Sequence, residues 1–268
     1  MKRLIDEDPI QLTGFNNLTK SLKFNLYDFC IARNEYERQA YVNYIQDKYS
    51  APKVTRILRG ICEIIEAKIL AVSDQAYQPW GASSLVLMSD LKGGGTCEDG
   101  KSSVAKPLDG KPQLAMHLDK SHICAHTYPD FRAEGTVCSF RIDIDISTCG
   151  EISPLRALNY IFDEVENDVA VIDYSVRGFT RDANGRRVYM DHEFRSIQDY
   201  IDDTVIEKYE CVDLALQSDN IWQTKMLRTQ IDKQSYFLDS VDLEEPGNRH
   251  CLDLVKKEMR GLLYMWPD

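Results

Sequence analysis

Cys138-Ser-Phe-Arg-Ile-Asp-Ile-Asp-Ile-Ser147 alternates apolar and polar residues without a break. Successive side chains on a strand point to opposite faces, so this run predicts a strand with one face against a core and one face polar. Downstream, Ser153-Pro154 reads as an N-cap followed by proline at the first helical position. The stripe Leu155, Leu158, Ile161, Phe162 and Val165 continues that helix. Val169 to Tyr174 predicts another strand. Asp182-Ala-Asn-Gly185 is a hairpin signal leading into a strand from Val188 to Phe194. A helix from Ser196 to Tyr209, a strand from Val212 to Leu216 and an amphipathic helix from Leu252 to Tyr264 complete this half.

Upstream, residues 1–17 are polar and turn-rich and read as a lead-in. Loose alternation from Leu18 to Ala32 predicts the first strand, and Asn34 can cap a helix running to about Asp47. Val54, Ile57, Leu58, Ile61, Ile64 and Ile65 recur at helical spacing. Ile69 to Ala76 returns as a strand, and the Pro-x-Gly signal at Pro79 to Gly81 feeds the apolar run Leu85 to Met88, which suits an interior strand. From Lys92 to Pro112 the chain is glycine-rich, which predicts a mobile surface loop. Strands interleaved with helices and joined partly by hairpins predict an α+β fold: a two-layer α/β sandwich, its antiparallel or mixed sheet covered by helices on one face. No glycine-rich nucleotide-binding motif is present.

The chain of 268 residues is long enough to fold on burial alone as a single domain. Its eight cysteines include no C-x-x-C pair, which predicts a reducing, cytoplasmic setting rather than a disulfide framework. No apolar run of membrane-spanning or signal-peptide length occurs, so no membrane partner is expected. The net charge of −11 argues against nucleic acid and mildly favours a cationic substrate, with plain solubility charge the weightier account.

Met116-His-Leu-Asp-Lys-Ser-His-Ile-Cys-Ala-His-Thr-Tyr-Pro-Asp130 holds three of the five histidines. Three chemistries compete for it. His117, His122, Cys124 and His126 could ligate a metal in a non-catalytic binding protein, although on a strand His117 would point away from the other three. Cys149 could form a thiolate pair with His126. Alternatively, the Ser121 hydroxyl could attack the carbonyl of Lys120, turning the peptide bond into an ester whose elimination cuts the chain. His126 could be the base for that step, but on a regular strand Ser121 and His126 face opposite sides, so a bend or break between them is expected.

Lys120 to Asp130 followed by Ile146-Ser-Thr-Cys-Gly150 resembles the S-adenosylmethionine decarboxylase proenzyme family, in its longer bacterial form. Leu12 to Ser21, Pro154 to Tyr160 and Val176 to Asp182 carry the same likeness. The resemblance implies self-cleavage between Lys120 and Ser121 into a β chain, 1–120, and an α chain, 121–268, with Ser121 becoming a covalent pyruvoyl group. That group would condense with the α-amino group of S-adenosylmethionine and act as an electron sink for loss of carbon dioxide, giving the aminopropyl donor of spermidine synthesis. The resemblance makes His126 the base of processing and Cys149 the proton donor of catalysis. It puts Tyr77 where an aromatic ring stacks adenine, Ser83 where a serine assists processing or binding, and Asp130 where a longer glutamate usually holds the ribose. Magnesium activation and a homo-oligomer of αβ pairs are also implied, without residues attached. A pyruvoyl-dependent arginine or ornithine decarboxylase on the same scaffold is the alternative.

Overall fold

The computed structural model describes residues 12–90, 121–131 and 135–264. Leu12–Asn16 (β1) and Thr19–Ile31 (β2) precede two helices, Glu35–Lys48 (α1) and Ala51–Ile64 (α2), and two strands, Ala67–Ala76 (β3) and Ala82–Asp90 (β4). Ser121–Asp130 (β5) and Val137–Cys149 (β6) follow, then a 3-10 turn at Pro154–Ala157 that runs into Leu158–Glu164 (α3). The rest is Val169–Arg177 (β7), Thr180–Asp182 (β8), Arg187–Val188 (β9), Asp203–Ile206 (α4), Tyr209–Leu216 (β10), Ile221–Arg228 (β11) and Pro246–Tyr264 (α5).

Eight strands form one sheet in the order β10-β11-β7-β2-β6-β5-β4-β3, with every neighbouring pair antiparallel. Its spine is β2 against β6, in register from Thr19 opposite Cys149 to Ile31 opposite Val137. The alternation of β6 does what its sequence dictates. Cys138, Phe140, Ile142, Ile144 and Ile146 are buried, in one cluster with Leu22, Phe24 and Leu26 of β2 and Val54, Leu58 and Ile61 of α2. α1 starts at Asn34, whose side-chain oxygen accepts from the Glu37 backbone N–H at 2.9 Å, while its amide donates to the Glu37 carboxylate at 3.1 Å. The sandwich is therefore α1 to α3 on one face of an antiparallel sheet. α5 adds a smaller patch on the opposite face at one end, packing Leu252, Val255 and Met259 against Phe29, Ile31, Val169 and Leu227.

Three local expectations change. The lead-in contains a strand, β1, which joins β8 and β9 in a three-stranded sheet. The Asp182 to Gly185 hairpin forms, with Gly185 at φ 77° and Asp182 Oδ1 accepting from the N–H groups of Asn184 and Arg186, but the strand after it is only Arg187–Val188. The segment beyond is drawn inward instead, because Asp191 is buried on Lys20. The helix expected from Ser196 to Tyr209 breaks into a 3-10 turn at Ile197–Tyr200 and the short α4, and β11 was not anticipated. The glycine-rich stretch from Lys92 to Pro112 lies outside the described residues.

Asp28, partly exposed on β2, and Asp168, buried just before β7, form a hydrogen-bonded acid pair. Burial, and then the repulsion of Asp168, push the Asp28 carboxyl far up; burial also raises Asp168, against the pull of the Tyr236 hydroxyl that donates to it at 3.0 Å. Both folded-state values lie above the unfolded carboxylate value of about 4, so between the two the folded protein binds more protons than the unfolded chain and stability falls as pH rises. Asp28→Asn should therefore gain on the parent by on the order of 1 kcal/mol or more between pH 5 and pH 8 in urea unfolding. A difference that does not change with pH would contradict the raised Asp28 carboxyl.

Candidate active site

β5 is hydrogen-bonded along both edges. Met88 to Ser83 of β4 run opposite Ser121 to His126, and Ser147 to Ser139 of β6 run opposite His122 to Asp130. The two-residue period is therefore kept. Ser121, Ile123, Ala125 and Thr127 are buried toward the helices, while His122, Cys124 and His126 are partly exposed on the face the helices leave open. No bend brings Ser121 to His126: they lie on opposite faces, ~16 Å apart at 3.3 Å per residue.

The predicted residues instead gather at the two ends of the strand. At one end Ser121 is 6 % exposed, and its Oγ accepts a hydrogen bond from the backbone N–H of Cys149 at 3.1 Å. Cys149 is the last residue of β6. Gly150 behind it has φ 72° and donates its N–H to the Leu18 carbonyl, which ends the strand and leaves Cys149 exposed. By alternation Cys149 follows Asp143, Asp145 and Ser147 along the open face.

At the other end His126 faces Ser83 of β4 and Asp143 of β6 directly across the strands. Its Nδ1 is 3.0 Å from the Tyr77 hydroxyl. Tyr77 gets there through a tight turn: its N–H donates to the Gly81 carbonyl, and Gly81 has φ 102° with no room for a Cβ, which would stand 2.7 Å from the Thr127 carbonyl. The Ala82 N–H then donates to Thr127 Oγ1 at 2.7 Å, so the turn is fixed to the residue beside His126. Tyr77 also walls a cavity of about 180 Å³ with Ile45, Gln46 and Tyr49. Asp130 is exposed on the open face four residues past His126.

Other candidates separate from these. Cys149 lies six residues along β6 from the partner of His126, ~20 Å away, so no thiolate pair forms between them. Burial pushes the Cys138 thiol up to about 11 and raises Cys124, as suits packing residues. Among the described residues no three His, Cys, Asp or Glu side chains converge on a metal position. Lys120 and His117 lie outside the described residues.

The sequence profile described as S-adenosylmethionine decarboxylase matches residues 43–178. An S-adenosylmethionine decarboxylase proenzyme of Clostridium perfringens (strain SM101) is 43 % identical over 260 residues, covering 94 % of this chain and 95 % of that one. The chain belongs to the S-adenosylmethionine decarboxylase family. The proenzyme of Citrobacter koseri is 44 % identical over 257 residues, covering 95 % of this chain and 96 % of its own length. Among solved structures, the adenosylmethionine decarboxylase from Aquifex aeolicus is similar at 16 % identity and a TM-score of 0.33, covering 68 % of this chain and all of that one.

Within this member of the decarboxylase family one buried cluster escaped the sequence reading. Lys20, 1 % exposed, places Nζ 2.6 Å from Asp191 Oδ2, and Asp191 Oδ1 is 2.7 Å from Nδ1 of the buried His192. Lys20 occupies the core-facing register of β2 that Leu22 and Phe24 continue, so a charge at an apolar position was the available signal. The pair holds the segment after β9 against the row of the sheet where Thr148 precedes Cys149. Asp191→Ala should leave the Lys20 charge buried without a counter-ion and cost about 3–5 kcal/mol in urea unfolding. A loss below about 1 kcal/mol would mean that the ammonium finds water or another acceptor.

Proposed function

We infer that the chain is the precursor of a pyruvoyl-dependent S-adenosylmethionine decarboxylase that cuts itself between Lys120 and Ser121. Family membership supports the activity and the pyruvoyl group. The observation that supports the residue roles is the hydrogen bond from the Cys149 N–H to Ser121 Oγ, which puts the residue to be converted beside the backbone of the residue read as the proton donor. Ser121 Oγ attacks the Lys120 carbonyl, and the peptide nitrogen leaves as the amine of residue 121. A base then removes the Ser121 α-proton, and the ester C–O bond breaks to release the Lys120 carboxylate. Water replaces the resulting enamine nitrogen, which departs as ammonia, and a pyruvoyl group caps the second chain.

A pyruvoyl group at position 121 supplies a carbonyl for the substrate's α-amino group and an electron sink for the departing carboxylate. The start of β5 suits it. The serine is buried, its oxygen already meets a backbone donor, and an exposed thiol stands next along the sheet. Cys149 Sγ holds the proton that replaces carbon dioxide on the substrate's α-carbon. The ring of Tyr77 is available to stack adenine, and Ser83 and Asp130 share its end of the open face. An arginine or ornithine decarboxylase on this scaffold has only the acidic net charge in its favour.

Cutting after residue 120 does not divide the fold. β2 to β4 belong to the first product and β5 to β11 to the second, yet β2 is paired between β6 and β7, and β4 with β5. The two products therefore remain one single-domain αβ unit. His126 stands with Tyr77 and Ser83 at the far end from Ser121, and on the open face. That separation supports an oligomer of αβ units in which His126 serves Ser121 of another copy. Magnesium as an activator rests on the resemblance to longer bacterial members of the family.

Intact mass after denaturation should show fragments 1–120 and 121–268, the second with a ketone-reactive terminus, while the native protein stays associated. An unsplit chain overturns this reading. Ser121→Ala should abolish cleavage. Cys149→Ala keeps the backbone donor, so cleavage should continue while kcat for carbon dioxide release from S-adenosylmethionine falls ~10²–10⁴-fold. Parental turnover in that variant removes Cys149 from the mechanism. Faster release from arginine or ornithine would transfer the assignment to the alternative substrate.

A further inference from the structure

We propose that Tyr77 is a positioning residue for self-cleavage: its hydroxyl accepts the Nδ1 proton of His126, which leaves the Nε2 lone pair free to take the α-proton of a serine at position 121. This rests on the role given to His126 above and assigns to Tyr77 a task separate from contact with substrate.

Three observations carry it. The Tyr77 oxygen is 3.0 Å from Nδ1, a normal hydrogen-bond length, so Nδ1 is the engaged ring nitrogen and Nε2 is the one left for the reaction. A neutral imidazole carries one N–H, and only the tautomer with the proton on Nδ1 leaves Nε2 able to act as a base. Tyr77 is also held from its own side. The bond from its N–H to the Gly81 carbonyl, the absence of Cβ space at Gly81, and the Ala82 to Thr127 bond tie the turn to the strand that carries His126. A residue whose only task was to offer a ring face to a ligand would not need its hydroxyl directed at an imidazole nitrogen.

The other groups around His126 do not make the same contact. Ser83 and Asp143 are its cross-strand neighbours. Asp143 already accepts from Asn25 at 2.6 Å and pairs with Arg141 at 3.1 Å. Tyr128, two residues on, stacks at a 6.4 Å centroid distance and carries the Arg141 guanidinium 4.3 Å over its ring. Tyr77 is thus the residue whose polar atom fixes the imidazole through Nδ1.

The test uses the full-length chain. Tyr77→Phe keeps the ring and removes the hydroxyl, so the rate of appearance of fragment 121–268 should fall at least tenfold. Cleavage at the parental rate overturns the proposal. Because a slow variant could also be a misfolded one, the second measurement does not depend on cleavage. In the uncleavable Ser121→Ala chain, ¹⁵N-histidine NMR should show His126 protonated on Nδ1 with Nε2 bare, and adding Tyr77→Phe should move it toward the other tautomer or a mixture. A His126 found protonated on Nε2, or a spectrum indifferent to Tyr77, overturns the proposal as well. His126→Ala separates the two layers: if that chain cleaves at the parental rate, the role of His126 as base fails, while the NMR result still decides whether Tyr77 sets its tautomer.

Discussion

The two-residue period of an unbroken antiparallel strand governs this structure. Because β5 is paired along both edges, nothing lets the chain twist Ser121 and His126 toward each other. The same constraint that puts Ile123 and Ala125 into the core fixes Ser121 on their side and His126 on the other. A one-residue slip would bury the histidines and expose the isoleucine, so core packing enforces the separation. The predicted site residues are consequently split into two groups, Ser121 with Cys149 and His126 with Tyr77 and Ser83.

That split shapes the chemistry. Ser121 meets a backbone donor rather than a side chain, so that contact survives changes to the thiol of Cys149. His126 is prepared separately, through a turn in which Gly81 and Thr127 hold Tyr77 against it. Each group is complete in its local support and lacks what the other has. In the proposed oligomer a second copy supplies what the first lacks.

Much of the fold was legible because alternation and helical spacing report burial directly. β2, β4, β6 and β7 and the helix α2 fell where apolar residues recurred at strand or helix periods, and α1 where Asn34 could cap it. Two of the failures share a cause: the local pattern was overruled by a distant polar contact. Val188 to Phe194 alternates acceptably for a strand, but Lys20, far away in sequence, draws Asp191 and His192 inward. The break between Ile197–Tyr200 and α4 likewise follows a tertiary bond, from the Asp202 N–H to the Asn159 side chain. For the site, the residue types and their family pattern were readable, and so was the parity problem between Ser121 and His126. The bond from Tyr77 to His126 was not, because it depends on how the turn at Gly81 folds back over Thr127.

The central claim is that one copy supplies the serine and another the histidine. Co-expression of two differently tagged precursors, Ser121→Ala with His126 intact and His126→Ala with Ser121 intact, measures this directly by mass. The account predicts that the His126→Ala chain, inert alone, is cut after Lys120 when the Ser121→Ala chain is present, and that the Ser121→Ala chain stays whole. An uncut His126→Ala chain in a mixture shown to form mixed oligomers would contradict it.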